Sequence, residues 1–446
     1  MKHRLKTLVA AIGLVTASAT TYAAPQEPGV VVTVEGTKVT AYWNPVIGAS
    51  EYTLYYAPFP YQGKSTIGNI PMEAKTDVTV DLPVGASYYI AVKSKDASGE
   101  SGRSNVELFT VETPNPEDAD ASISSIISST ATHVVLASYE DFATEAQGLA
   151  DTLDTFKAAP TDDNLQKVQF AWRDTRRPWE QTESFLFGPV DTQGIDPAVD
   201  SWPVNRTDLE AVLNSSNALT LDFVAALDDT LHGFHTVEYV IFGADNDKKA
   251  ADITEREMEY LTSSASLLHD QVNKLANAWR PTSGNFVNKF ATAGQQGNKT
   301  YPSETSALQE LVNGMIAIVD EVGNGKIADP FSKFDHELVE SQFSFNSLLD
   351  FENNIRGVEN IYLGRYLQND GPGLNDLVRR NDADLDSQIR GKIDAAIDAI
   401  QAIPFPFRDS ITDEQGRVLI EAAQEKVVEL QTLLEGELAT KISAFQ

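Results

Sequence analysis

The residues best suited to chemistry lie in one short segment, Leu231 to Gly243, which holds two histidines and a carboxylate ahead of an apolar run. The whole sequence has only 6 histidines, so two of them in one segment are notable. His235 and Glu238 are three residues apart, and residues at that spacing lie on the same face of a helix. An imidazole and a carboxylate on one face can converge on one cation or one polar ligand, so this segment predicts a site.

The same helix ending occurs at two other places in the chain. Each time a glutamate lies five residues before a glycine, with mostly apolar residues before the glycine, and another polar group lies three residues before the glutamate. Each ending predicts a helix closed by a glycine cap. If the three helices end side by side, their polar groups meet in one cleft, where a buried carboxylate needs a cation or hydrogen-bond donors. The three pairs are Glu180 with Glu183, His235 with Glu238, and Arg356 with Glu359.

A purely structural interpretation competes with this one. Helices often stop at glycine and carry glutamate on a wet face, and a core histidine hydrogen-bonded to Glu180 or Glu238 would form a rigid polar network without any ligand. The tryptophans near these endings, Trp172, Trp179 and Trp202, favour packing over chemistry, although aromatic walls also shape pockets.

The charge of the chain limits the classes of partner. Its 65 acidic and 34 basic residues give a formal net charge of −31. Such a surface repels phosphate backbones and anionic lipids, which argues against nucleic acid and membrane surfaces as partners and suits a protein that handles cations. The sequence has no cysteine, which excludes disulfides, thiolate metal ligands and acylation as a lipoprotein.

Residues 1–23 have the pattern of a secretory signal peptide. Lys2, Arg4 and Lys6 precede a short apolar stretch, and small residues follow up to Ala23. The apolar stretch is too short to span a membrane as a helix. We therefore predict export to the bacterial periplasm or beyond, without a transmembrane segment.

Residues 28–112 predict an N-terminal all-β sandwich. Short β-branched or alternating runs are separated by Gly, Pro and Asn, and they fall at 30–34, 38–43, 52–56, 78–82, 88–93 and 106–111. Trp43-Asn44-Pro45, the Tyr88-Tyr89 strand and Ser98-Gly99-Glu100-Ser101 resemble a fibronectin type III module, in which a tryptophan packs between the sheets and a late tyrosine ties a loop to the backbone. The resemblance implies a spacer or a surface for an envelope protein partner. A proline-containing linker follows at 113–119.

Residues 120–446 predict an all-α body of two helical bundles, so the chain is multidomain. Apolar residues recur at intervals of three and four, and a polar loop at Gly243 to Asp252 suggests a seam between bundles at about 120–245 and 250–446. The predicted helices span about 131–158, 163–187, 206–227, 254–280, 302–322, 333–367, 383–402 and 414–444.

Four blocks in this body, in the right order, resemble the imelysin family, and the G-x-H-x-x-E pattern is matched in full at Gly233, His235 and Glu238. The resemblance implies a secreted or periplasmic protein of two helical bundles, with the motif near their interface, classed as a metallopeptidase candidate and linked to bacterial iron uptake. The blocks are Trp172 to Pro189, Asp200 to Pro203, Gly233 to Tyr239, and Asp350 to Gly364.

We predict a metal site built from His235 and Glu238, completed by Glu180 or Glu183. An imidazole with several carboxylates suits a divalent or trivalent transition metal, with iron as the first choice and zinc or copper as alternatives. The metal ion or a small iron-bearing ligand is then the expected partner. Residues expected around the ligands are Gly233, Arg176, Trp179, Asn354, Arg356 and Glu359.

Two other functions stay open at this stage. A zinc peptidase of the known type needs H-E-x-x-H, whereas His232 and His235 are three apart and no glutamate follows His232, so catalytic residues are not assigned. A non-enzymatic protein would instead bind a peptide or a siderophore-like ligand, with Arg176, Arg177 and Arg356 holding its anionic groups.

Overall fold

The computed structural model describes residues 25–35, 37–59, 64–83, 85–111, 121–367 and 369–445. The predicted signal peptide at 1–23 and the predicted linker at 113–119 lie outside the described residues. Two antiparallel β-sheets come first and a largely helical body follows, which confirms the predicted order of classes along the chain.

The β part, residues 25–111 where described, consists of a three-stranded sheet in the order β1-β2-β5 and a five-stranded sheet in which β4, β3 and β6 are neighbours and both β7 and β8 pair with β6. All six predicted strands are present. The unpredicted β4 is an edge strand whose Gly68 and Pro71 weaken its signal, since proline is tolerated only at edges. The strands are β1 Val30–Glu35, β2 Lys38–Trp43, β3 Glu51–Pro58, β4 Gly68–Glu73, β5 Asp77–Asp81, β6 Ser87–Asp96, β7 Gly99–Glu100 and β8 Glu107–Thr110.

The two sheets pack through their inner faces. Trp43 on β2 contacts Tyr52 on β3 with ring centroids 6.0 Å apart, and both side chains are buried. The Tyr52 hydroxyl accepts a hydrogen bond of 2.8 Å from the backbone N–H of Val46, so this tyrosine ties the loop between β2 and β3 to the core.

The helical body begins at Ile123, and most of its helices match the predicted ones within a few residues. Several long helices contain a π-helical turn, at Thr130–Leu136, Glu321–Ile327 and Leu434–Leu438. The helices are α1 Ile123–Ser129, α2 Ala137–Ala158, α3 Asp162–Thr182, α4 Pro189–Thr192, α5 Ile195–Asp200, α6 Arg206–Leu213, α7 Leu221–Val224, α8 Phe234–Phe242, α9 Glu255–Trp279, α10 Phe286–Ala291, α11 Glu304–Asp320, α12 Ala328–Lys333, α13 Ser347–Leu363, α14 Leu374–Asn381, α15 Ala383–Gln401, α16 Phe407–Ser410, α17 Glu414–Leu433 and α18 Ala439–Ser443, with short strands β9 Arg365–Tyr366 and β10 Asn369–Asp370 after α13.

Two predicted helices are wrong in extent. The one predicted at 206–227 is broken into α6 and α7, with polar residues 214–217 between them. The one predicted at 333–367 begins only at Ser347, because Phe334, Ser341 and Phe345 have positive φ values of 54°, 49° and 62°, which a right-handed helix does not permit. The segment 334–346, hereafter the irregular segment, instead contains only a short 3-10 turn at His336–Leu338.

The predicted seam at Gly243–Asp252 does not divide the helices into two packing groups. Helix α9, which follows it, packs on α2, α5, α7 and α8 of the predicted first bundle. One group of helices packs around α2 and includes α3 and α9, and another packs around α15 and includes α13 and α17. These two groups meet where α3 packs on α13. A Cβ added to Gly357 of α13 would lie 2.3 Å from the Gln181 carbonyl oxygen of α3, so these backbones are in very close contact.

The β part is docked on the helical body by backbone and side-chain contacts. The Phe405 N–H donates to the Pro45 carbonyl at 2.7 Å, and the guanidinium of Arg103 lies 3.8 Å from the ring centre of Phe170. A cleft of about 760 Å³ lies between the two parts, lined by strands β1 and β8 and by helices α2, α3, α13 and α15.

Among the residues that the structure describes, no helix combines the length and apolar character needed to cross a bilayer.

Candidate metal centre

The first turn of α8 is pressed against the end of α5, and glycine makes this contact feasible. Gly233, just before α8, has a φ of 91°, and a Cβ added to it would lie 2.5 Å from the Val199 carbonyl oxygen. A residue with a side chain would be strained there and would collide with α5. The close contact brings His235, in the first turn of α8, to Asp200, the last residue of α5.

The imidazole of His235 is held at both nitrogens by carboxylates. Its Nδ1 lies 3.0 Å from Glu238 Oε2, and its Nε2 lies 3.1 Å from Asp200 Oδ1 and 3.9 Å from Glu340 Oε1. Burial alone would lower the pKa of His235, but the hydrogen bonds that its ring N–H groups donate to Asp200 and Glu238 outweigh burial and raise this pKa to about 10. The ring is therefore protonated at neutral pH when no metal is bound.

Glu238 has a different position from the predicted one. We expected it to be a metal ligand beside His235, but it binds the ring nitrogen that faces away from Asp200. Its other oxygen, Oε1, accepts hydrogen bonds from the N–H of Phe343 at 3.0 Å and from the N–H and hydroxyl of Ser344, both at 2.7 Å. Glu238 thus orients the histidine and fixes the irregular segment that carries Glu340.

Arg176 of α3 lies at the centre of the cluster and is fully buried. Its guanidinium pairs with Glu180 and Asp200, lies 3.0 Å from Glu340 Oε1, and approaches Asp350 Oδ1 to 3.6 Å. Burial would raise the pKa of Asp200, but Arg176 and His235 lower it below its usual range. Asp200 is therefore ionised.

Trp179, one turn along α3, donates its indole N–H to the other oxygen of Asp200 at 2.6 Å. The prediction that Trp179 lies near the site residues is consistent with this contact, and its ring also packs against Phe142.

Glu180 and Glu183, both predicted as ligands, face another cation, the ammonium of Lys326. Nζ lies 2.7 Å from Glu183 Oε2, 3.3 Å from Glu180 Oε2 and 3.1 Å from Glu340 Oε2. Asn354 donates to the same oxygens of Glu180 and Glu183, at 2.8 and 2.7 Å. Burial raises the pKa of Glu180 to about 8 despite the opposing effect of Arg176, and burial together with Glu180 raises the pKa of Glu183 well above its usual range.

The third predicted ending does not join this cluster through the predicted residues. Arg356 pairs with Glu352 at 3.0 Å and with Glu359 at 3.1 Å, and Glu359 also binds Arg365 at 2.9 Å. Arg356, Glu359 and Arg365 line the cleft beside the β part. Helix α13 reaches the cluster with Asp350 and Asn354 instead. These two are four residues apart and share a face, whereas position 356 lies on another face of the helix.

Three of these side chains lie close enough together to share one metal ion. One ligand atom each from Asp200, His235 and Glu340 can be chosen so that all three lie within 4.8 Å of one another. In the sequence, Asp200 is distinguished only as the first residue of a family block. Glu340 and Lys326 lie outside regular α-helix, so no apolar period singles them out, whereas the four-residue spacing of Asp350 and Asn354 does indicate a shared helix face.

With all of its carboxylates ionised, the cluster would carry excess negative charge, and the raised pKa values of Glu180 and Glu183 show that protons offset part of it. Five carboxylates contact two permanent cations, Arg176 and Lys326, so the buried groups have three more formal negative charges than positive ones before His235 is counted. Such an imbalance favours uptake of protons or of a metal cation. The five carboxylates are Glu180, Glu183, Asp200, Glu340 and Asp350.

The fold and the site together define a helical protein with an N-terminal β part and a buried histidine–carboxylate cluster where its packing groups meet. The sequence model of the imelysin family (peptidase M75) matches residues 135–434, so the chain belongs to the imelysin family.

Two kinds of relative support the family assignment. Iron-regulated protein A of Synechococcus elongatus is 31% identical over 307 residues, which cover 68% of this chain and 82% of the relative. A solved structure of an iron-regulated protein A precursor from Parabacteroides distasonis has a TM-score of 0.66 and 27% identity, covering 73% of this chain and 98% of that chain. An imelysin-like protein from Psychrobacter arcticum shares the fold, with a TM-score of 0.57 at 15% identity over 73% of this chain and 97% of that chain.

Proposed function

We propose that this protein binds one transition-metal cation through Asp200, His235 and Glu340, and that it acts in bacterial iron uptake. The observation that carries the proposal is the convergence of these three ligand atoms within 4.8 Å, inside a buried cluster rich in carboxylates. The iron-regulated names of the relatives support iron as the first metal to test, with zinc and copper as alternatives.

The donor set suits such an ion. One imidazole nitrogen with carboxylate oxygens is a common environment for iron, manganese and zinc. Binding requires the Nε2 proton of His235 to leave, and the hydrogen bond from Nδ1 to Glu238 keeps the remaining proton on the far side of the ring. A metal-ligating histidine oriented by a carboxylate in this way is the usual arrangement.

Burial favours a cation over a polypeptide as the species bound at this site. His235 and Glu340 are each 2% exposed, so a small ion fits the site far better than the peptide bond of a protein substrate. We therefore place metal binding ahead of the metallopeptidase and siderophore-binding alternatives.

The N-terminal parts of the chain bear on where the protein acts. The leader at 1–23 supports export to the periplasm or the cell surface. The N-terminal sheets are proposed to be a fibronectin type III-like module that serves as a surface for an envelope partner.

The first test is a calorimetric titration of the mature protein with Fe(II), Zn(II) and Cu(II), paired with metal analysis after gel filtration. We expect His235→Ala and Glu340→Gln to weaken binding at least 100-fold. His269→Ala is the matched control, because His269 lies on α9 and contacts Asn273 rather than the cluster. Binding that survives both cluster variants, or no binding by the wild-type protein, would disprove the proposed site.

A further inference from the structure

Lys326 occupies a position that is shaped for a cation. The side chain is 1% exposed, and its ammonium has three carboxylates at 2.7 to 3.3 Å, from Glu180, Glu183 and Glu340. An ammonium offers three donors, so each carboxylate can take one. The pKa of Lys326 lies well above its usual range, because the surrounding carboxylates outweigh the effect of burial.

The local backbone is built to place the ammonium there. Lys326 lies in the π-helical turn Glu321–Ile327, which continues α11 into α12. A π-helical turn holds an extra residue and changes the direction of the side chains that follow it, which is why such turns are frequent at functional sites. Gly323 lets the turn pack closely on α17, since a Cβ there would lie 3.1 Å from Val427.

Glu340 connects this position to the candidate metal position. Its Oε1 lies 3.9 Å from His235 Nε2, 3.0 Å from Arg176 and 3.2 Å from the Lys326 ammonium, and its Oε2 lies 3.1 Å from the same ammonium. One carboxylate therefore bridges two neighbouring cation positions. In carboxylate-rich helical bundles, a bridging carboxylate of this kind commonly joins two metal ions.

We propose that Lys326 is a built-in substitute for a second metal ion, which limits the cluster to one exogenous cation. The second position, formed by Glu180, Glu183 and Glu340, is a cation site that the chain fills with its own ammonium. This inference extends the proposed function, because it sets the number of ions the same cluster accepts.

The second position would accept an ion if Lys326 were removed. Hard cations take oxygens at about 2.0 to 2.6 Å, so the tips of the carboxylates need only a small inward shift from their present distances to the ammonium. Asn354 lies beside them, with its Nδ2 on Glu180 and Glu183 and its Oδ1 without a hydrogen-bond partner among the described residues. A half-turn of this amide would supply a fourth oxygen.

The test is to count ions per chain in Lys326→Met, using Mn(II), Zn(II) and Fe(II), by metal analysis after gel filtration and by thermal melting with and without each ion. We expect one more ion per chain than in the wild type, and a larger rise in melting temperature on adding metal. Lys333→Met is the control, since the Lys333 side chain is 54% exposed and, among the described residues, its ion pair is with Asp329. It should bind the wild-type number.

A folded Lys326→Met protein that binds the same number of ions as the wild type would overturn the inference, as would a wild type that already binds two. A Lys326→Met chain that folds only with metal supports it, and one that stays unfolded with metal contradicts it. The double variant Glu183→Gln/Lys326→Met lacks both the ammonium and the carboxylate nearest to it. It should fold without metal and bind the same number of ions per chain as the wild type. If the wild type binds no ion, the proposed function is disproved. The inference about Lys326 is still tested in that case, because the ion gained by Lys326→Met is counted relative to the wild type.

Discussion

At the scale of single residues, His235 is defined by what holds each of its nitrogens. Asp200 lies on the side of the cluster, and Glu238 lies on the opposite side, where its second oxygen also accepts three hydrogen bonds from residues 343 and 344. The glutamate of the G-x-H-x-x-E pattern therefore acts by orienting the histidine and by holding the segment that carries Glu340.

We expect Glu238→Gln to weaken metal binding roughly 10- to 100-fold, the usual effect of removing a group that orients a metal-binding histidine. Calorimetric titration measures the change. Glu359→Gln is the matched control, since Glu359 belongs to the same kind of helix ending but lies in the cleft with Arg356 and Arg365. If both variants lose metal affinity equally, Glu238 and Glu359 contribute to one site, and the placement of Glu359 outside the cluster is wrong.

Spacing in the sequence was a good guide to some residues and a poor one to others. The three-residue intervals correctly indicated that Glu180 with Glu183, and His235 with Glu238, lie together in a buried network. The same rule could not place Arg356, because the face of α13 that turns toward α3 depends on packing between distant segments. That face carries Asp350 and Asn354.

At the scale of elements, two helix ends depend on glycines with positive φ, but for different reasons. Gly243, after α8, has a φ of 75°, and a Cβ added there would meet nothing closer than 3.5 Å. Gly233, before α8, combines its φ of 91° with a contact of 2.5 Å to the backbone of α5.

Gly243→Ala should lower the free energy of unfolding by about 1 to 3 kcal/mol, the cost of a backbone conformation with φ 75° and ψ 175° that glycine alone adopts readily. Gly233→Ala should cost about 1 to 3 kcal/mol more, because α8 must also shift away from α5. The same shift moves His235 from Asp200, so only Gly233→Ala should weaken metal binding. Urea unfolding and metal titration of both variants test this, and equal losses in the two would contradict the role given to the contact with α5.

Irregular elements supply what the periodic pattern missed. Glu340 comes from a segment with several positive φ values, and Lys326 from a π-helical turn. Helix prediction rests on recurring apolar positions, and neither segment has them in register. The sequence therefore allowed the helices to be predicted while leaving two charged groups of the cluster unassigned.

At the scale of the whole molecule, the cleft between the β part and the helical body makes stability depend on pH. Asp174 of α3 lines this cleft near Glu145 and Glu107, and burial together with these two carboxylates raises its pKa to about 7, although Arg177 and Arg103 oppose the shift. The folded protein then binds a proton at Asp174 more tightly than the unfolded chain does. This contribution to stability is full below the ordinary pKa of 3.8 and is lost as the pH rises through about 7.

We expect Asp174→Asn to flatten the fall in stability between pH 5 and pH 8, because the amide keeps the neutral form that the cleft favours. Urea unfolding of the wild type and the variant at each pH measures the difference. Asp163→Asn, at the exposed start of the same helix, should leave the wild-type pH dependence intact. If the stability of Asp174→Asn depended on pH as strongly as that of the wild type, groups other than Asp174 would account for the pH dependence.

The order of classes, a β part followed by a helical body, could be predicted because strand and helix have different periods in the sequence. The relation between the parts could not. The backbone hydrogen bond between Phe405 and Pro45, and the packing of α9 on α2, join segments far apart in the chain, and local patterns carry no information about them.

The wide spread of the cluster along the chain has a consequence for the order of events in the life of the protein. Its charged groups come from α3, α5, α8, the π-helical turn, the irregular segment and α13, so no partly folded chain brings them together. Under the proposed function, the metal would then be bound after folding is complete and would not guide its early steps. The compartment in which the folded chain resides, as much as the ligands, would decide which ion is bound.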